Sequence, residues 1–160
     1  MVIFGYGNPL RGDDAVGWLA ARKLQQHRTG DDVQVVACHQ LNPEHAELAA
    51  QAERVIFIDA SAEMAPGVIT RTELHAAADP GKPFTHHLDP QRILAWAREL
   101  YGACPQSILF TVGGKEFDGG EISPAVTAAL PALVEAVRVE CGASPSPLRC
   151  EACFPGTSTR

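Results

Sequence analysis

Lysine is scarce here: three of 160 residues, and no run of Lys or Arg occurs. Nineteen acids against thirteen bases leave a formal charge of −6. A chain so poor in clustered positive charge is a poor partner for nucleic acid or an anionic membrane. No stretch approaches the ~20 apolar residues that cross a bilayer. The first residues, Met1-Val2-Ile3-Phe4-Gly5, lack the basic region and long apolar run of a signal peptide. Five cysteines, an odd number without a short-period framework, point to reduced thiols and a cytoplasmic chain. Cys150-x-x-Cys153 offers two ligands where a structural zinc site wants four, and reads as two thiols in a tail. Three catalytic signatures are missing from the sequence: G-x-x-x-x-G-K-[ST], G-x-S-x-G and H-E-x-x-H.

What is present is a globular composition, 46% apolar and 20% charged, in a length that suits one domain. Val2-Ile3-Phe4 reads as a buried strand running into a glycine loop, and Val16, Leu19, Ala20 and Leu24 recur at helical spacing. Val33 to Ala37 reads as a second strand, and Asn42-Pro43-Glu44 as a cap and first turn of a helix reaching about Ala52. Val55-Ile56-Phe57-Ile58 is the strongest strand signal and stops at Asp59. Val68 to Leu74 alternates like a half-exposed edge strand. Asp89-Pro90 and Ser123-Pro124 open two more helices around a strand at Ser107 to Val112, and Pro131 should kink the last helix. About five strands alternating with four helices predict an α/β fold: a three-layer, mostly parallel twisted sheet with helices on both faces. Residues 1–141 form the single domain, and 142–160, without apolar periodicity, read as a flexible tail.

Three places can carry chemistry. Gly5-Tyr6-Gly7-Asn8-Pro9-Leu10-Arg11-Gly12-Asp13-Asp14 follows a strand as a dinucleotide fingerprint does. Leu10, however, takes the third glycine position, and the acidic pair would repel a pyrophosphate. One acid suits a helix cap and the other faces a ligand, Asp13 being the expected cap and Asp14 the expected ligand. Asp59 ends the most apolar strand, where a carboxylate is costly to desolvate unless a cation or donors receive it. His86-His87 precedes the Asp89-Pro90 cap; side chains of adjacent histidines diverge, so both rarely bind one ion. Two carboxylates and an imidazole at one sheet edge suit nickel or zinc, and three ligands leave positions open.

The stretch Val2 to Gly17, with its G-x-G-N, acidic pair and following glycine, resembles the N-terminal motif of the nickel–iron hydrogenase maturation endopeptidases. The resemblance continues in order through Gln40-Leu41-Asn42-Pro43-Glu44, Val55-Ile56-Phe57-Ile58-Asp59-Ala60, Thr85-His86-His87-Leu88 and Ser123-Pro124-Ala125-Val126. It implies an aspartyl-type endopeptidase-like hydrolase that removes a C-terminal extension from a hydrogenase large-subunit precursor after nickel loading. The family's metal ligands fall on Asp14, Asp59 and His86, the same residues that would carry catalysis, with nickel arriving in the precursor and zinc or cadmium as surrogates. The chain departs from the family at three points: Asp14 where some members have Glu, His87 where many have Gln, and Cys38-His39-Gln40-Leu41 where many are glycine-rich. The mechanism so implied is metal-assisted amide hydrolysis. The competing class is a nickel-sensing chaperone that binds the immature subunit through the same ligands without cutting it. Cys38 with His39 is no nucleophile and base, since adjacent strand residues point to opposite faces.

Overall fold

The computed structural model describes residues 1–26, 32–77 and 88–142. Among them, β1 (Val2–Tyr6), β2 (Gln34–Cys38), β3 (Arg54–Ser61), β4 (Ile69–Leu74) and β5 (Gln106–Gly113) form one sheet in the order β2-β1-β3-β5-β4. All neighbours run parallel except β4, which pairs antiparallel to β5 at the edge. A 3-10 turn at Gly12–Ala15 leads into α1 (Val16–Gln26), followed by α2 (His45–Ala50), α3 (Pro90–Tyr101) and α4 (Pro124–Glu140).

Period-two alternation divides the core into two layers. Ile3, Ile56, Ile58, Ile108, Phe110 and Val112 face one way and pack against α1 and α4. Val2, Phe4, Tyr6, Val55 and Phe57 face the other way and pack against α2 and α3. Phe4 and Phe57, neighbours in the register, stack with ring centroids 5.4 Å apart. Each such fully buried side chain contributes about 1.5–3 kcal/mol. The three-layer α/β architecture expected from the sequence is the one observed.

The helix starts test the local reading. Asp89 accepts from the Arg92 amide at 2.8 Å with Pro90 in the first turn, and Ser123 accepts from the Val126 amide at 3.4 Å ahead of Pro124. α4 runs on through Pro131, whose ring lies on the exposed side. Asn42 does not cap: its amide donates to His45 Nδ1 at 3.0 Å, and its own side-chain oxygen is buried without a partner among the described residues. The short α2 instead grows out of a turn closed by His45 N–H to the Asn42 carbonyl. β3 extends three residues past Ile58, so Asp59 lies inside the strand rather than after it. The β5 pairing, Asp59 to Thr111 and on to Ser61 with Gly113, holds it extended. The tail expected at 142–160 lies, from residue 143 on, outside the described residues, as do Cys150 and Cys153.

Two features place the first turn of α1 over the strand ends. A Cβ at Gly17 would run into the carbonyl oxygens of Tyr6 and Ile58, so only glycine lets the helix lie this close to β1 and β3. Gly7 has φ of +137°, and a Cβ there would meet the Asp14 carbonyl. The loop thus turns back sharply after β1 and brings Asp14 over the sheet edge.

Candidate active site

The chain leaves β1 toward β2 on one side and reaches β3 on the other, so the carboxyl ends of β1 and β3 are a topological switch point, where open α/β sheets place ligands. β1 pairs with β3 only as far as Gly5 with Ile58, and Asp59 therefore overhangs the end of the paired region. A cavity of about 630 Å³ opens there. Asp14, Asp59 and Asp89 reach its wall, with Arg11 the one guanidinium among its described lining residues. Two of the three predicted site residues, Asp14 and Asp59, are therefore brought together. His86 lies outside the described residues, as does His87; Leu88 and Asp89, which follow them in the chain, line the cavity. Among the described residues no three His, Cys, Asp or Glu side chains gather closely enough to hold a metal.

Each carboxylate has its own surroundings. Asp14 Oδ2 accepts the Asn8 amide at 2.7 Å, while the Asn8 side chain accepts the Leu10 amide at 2.9 Å and shapes the loop. Asp59 Oδ1 accepts its neighbour's amide, Ala60 N–H, at 2.7 Å. Burial pushes the Asp59 carboxyl up to about 6; Tyr6 and the Ala60 amide oppose the rise, and the charge of Asp14 adds to it. The Tyr6 phenol is itself driven far above its ordinary range, first by burial and then by the Asp59 charge. Its hydroxyl lies close enough to that carboxylate to interact with it, yet forms no hydrogen bond of proper geometry with any described residue. Asp14 and Asp59 are two anionic oxygen ligands of the kind a divalent ion takes, and a cation would relieve their mutual repulsion, but the described residues supply only these two of the three or four a protein site uses.

Asp13 takes a different part from the one expected. It caps no helix: the 3-10 turn starts at Arg11 without a side-chain cap. Fully buried, Asp13 accepts the amides of Lys115 and Glu116 on Oδ2, at 2.8 and 3.0 Å, and that of Ser123 on Oδ1 at 2.7 Å. Burial raises its carboxyl, but the three amides outweigh burial and hold it below the usual range. Asp13 is thus the anchor of the loop between β5 and α4. Arg11 ties the same two loops together by donating Nε–H to the Phe117 carbonyl at 3.0 Å.

Burial pushes the Cys38 thiol up to about 11, which keeps it protonated at neutral pH and supports setting aside Cys38 with His39. Tyr6, Arg11 and His39 line the cavity and had no role in the sequence reading. The alternation Val2, Phe4, Tyr6 was the available signal for the first, since it puts the phenol on the face and at the strand end that Asp59 shares.

No protein-family model matches the chain, and no curated protein sequence matches it significantly. Solved structures do. A [NiFe] hydrogenase maturation protease, HycI, from Thermococcus kodakarensis superposes with TM-score 0.70 and 25% identity over 88% of this chain and 91% of its own. The hydrogenase maturating endopeptidase HybD from E. coli gives TM-score 0.70 and 25% identity over 85% and 88%. The fold is that of the hydrogenase maturation proteases. A hydrogenase 2 maturation peptidase from a Thaumarchaeota archaeon, at 23% identity and TM-score 0.68 over 89% and 98%, has the same fold. The likeness to this protease fold covers most of the chain and agrees with the resemblance carried by the Val2 to Gly17 motif.

Proposed function

We propose that this chain is an endopeptidase that removes the C-terminal extension of a nickel–iron hydrogenase large-subunit precursor after nickel has been inserted. The observation that carries the reading is the meeting of Asp14 and Asp59 in one cavity at the switch point of this fold. Its support from outside the chain is the pair of structures at 25% identity whose names state hydrogenase maturation.

Asp14, Asp59 and His86 are the residues that would hold the ion, two anionic ligands and one neutral one. A divalent ion bound there supplies Lewis acidity toward the carbonyl of an amide. Asn8 holds Asp14 by its amide, Ala60 holds Asp59, and Asp13 ties the loop that carries Asn8, Arg11 and Asp14 to the loop between β5 and α4. Arg11, its Nε committed to Phe117, presents the rest of its guanidinium to acceptor oxygens of an incoming chain segment. The ion arrives inside the precursor, so the enzyme is read as inert toward general protein substrates; the odd, unframed cysteine count is the ground for reading it as cytoplasmic. Zinc or cadmium would stand in for nickel in binding experiments.

The test uses purified Asp14→Asn and Asp59→Asn chains against cognate nickel-loaded precursor. Each variant keeps side-chain volume and removes one charge. Loss of cleavage by at least roughly 100-fold, with melting temperature within a few degrees of the parent, is expected for a ligand of the reaction's metal. Cleavage at the parental rate by both variants contradicts the assignment. Stable binding of the precursor by the parent chain, without any cut, would establish the chaperone reading instead.

A further inference from the structure

Tyr6 ends β1 with its ring packed in the cluster of Phe4, Leu41 and Phe57, lines the cavity, and has its hydroxyl buried near Asp59. The residue is 8% exposed, and the hydroxyl finds no partner among the described residues. A buried hydroxyl without a partner costs stability, and a phenylalanine would fill the same space without that cost. Packing therefore does not account for the oxygen. Beside it, Asp59 accepts the Ala60 amide on Oδ1, and the Tyr6 hydroxyl stands near the carboxylate without a hydrogen bond of proper geometry to it. A donor and a carboxylate thus stand together at one cavity, near but not locked.

We propose that Tyr6 is the positioning residue of Asp59: when a divalent cation enters the cavity, the Tyr6 hydroxyl donates to the Asp59 carboxylate and fixes the direction in which that carboxylate presents its oxygen. The proposal rests on the reading of the cavity as a cation-holding site. Carboxylates that hold a metal are commonly held in turn by an outer hydrogen bond, whose loss weakens metal binding roughly 10–100-fold. Tyr6 suits this use because its ring is clamped by the core, so the hydroxyl is placed by packing rather than by freezing a mobile side chain.

The chain has two tyrosines, and the other, Tyr101, is exposed at the end of α3. In the full-length Tyr101→Phe chain the Raman Fermi doublet of tyrosine reports on Tyr6 alone. Titration with cadmium is expected to move that doublet from the unbonded to the donor signature, in step with binding followed by calorimetry. The full-length Tyr6→Phe chain is expected to bind cadmium roughly 10–100-fold more weakly than the parent, with an equal or higher melting temperature in chelator. A doublet that stays unbonded at saturating cadmium, or parental affinity in Tyr6→Phe, overturns the role of Tyr6 and leaves the cation-holding reading standing. Failure of the parent and of Tyr101→Phe to bind cadmium overturns both.

Discussion

Two carboxylates, Asp13 buried behind the first loop and Asp59 on the cavity, behave in opposite ways. Asp13 sits in a socket where three backbone amides use both of its oxygens, and its carboxyl is held low despite burial. Asp59 sits on a cavity wall with one amide, a loosely placed Tyr6 hydroxyl and the charge of Asp14 nearby, and burial raises its carboxyl to about 6. Burial acts on both; what differs is the number of donors. A carboxylate whose oxygens are fully satisfied by backbone is structural, because a ligand could reach it only by displacing those bonds. One with fewer donors beside a like charge is destabilised, and that destabilisation is what a cation removes.

The largest expected effect comes from breaking the socket. Asp13→Ala leaves three amide donors unsatisfied in the interior and should cost roughly 3 kcal/mol or more of unfolding free energy, read from the urea midpoint. Asp59→Asn is the matching change on the other side. It removes a charge the fold disfavours, so stability should hold or rise. Equal losses in the two variants would erase the distinction between socket and cavity. Next in size is Gly17→Ala, expected to cost roughly 2 kcal/mol, because the added Cβ meets backbone carbonyls that cannot move aside. It should also weaken cadmium binding by displacing Asp14, and a variant as stable as the parent would show that α1 can shift without cost.

The two acids also predict opposite pH dependence, measured with chelator present. Asp13, lowered in the fold, contributes stability above its ordinary value of 3.8 that is lost as pH falls through its folded value. Asp59, raised in the fold, makes a contribution that is full below 3.8 and lost as pH rises through about 6. Parent minus Asp59→Asn stability should therefore fall between pH 4 and pH 7, and a flat difference would show that Asp59 is not raised. The smallest effect is expected for a third carboxylate. Glu140, between Arg71 and Arg54, clips the end of α4 to β4 and β3, with ion-pair distances of 2.9 and 2.6 Å. This partly exposed pair network should lose about 1 kcal/mol or less in Glu140→Gln.

The fold was readable because its signals are local and repeated: apolar strands, helical spacing in Val16, Ala20 and Leu24, and the Asp89-Pro90 and Ser123-Pro124 starts. Asn42 misled because the same residue type serves as a cap or in a turn, and here the His45 ring took the Asn42 amide. Asp13 misled for a deeper reason. Its donors lie on Lys115, Glu116 and Ser123, brought to it by β5 and α4, and no pattern near Asp13 announces them. Asp14 and Asp59 were legible from the family-like motif and from the end of an apolar strand, whereas the cavity between them needs the β1–β3 register. Tyr6 was hidden in the alternation that marks it as core; only its hydroxyl, placed near Asp59, separates it from Phe4.

The proposed activity has the cavity of Asp14 and Asp59 act on a hydrogenase large-subunit precursor through an ion that the precursor carries. Incubating the purified full chain with cognate precursor, nickel-loaded in one vessel and nickel-free in the other, and following the intact mass of the large subunit tests it directly. The account predicts loss of the C-terminal extension from the nickel-loaded form only, with the nickel-free form unchanged over the same time. Equal cleavage of the two forms would contradict it.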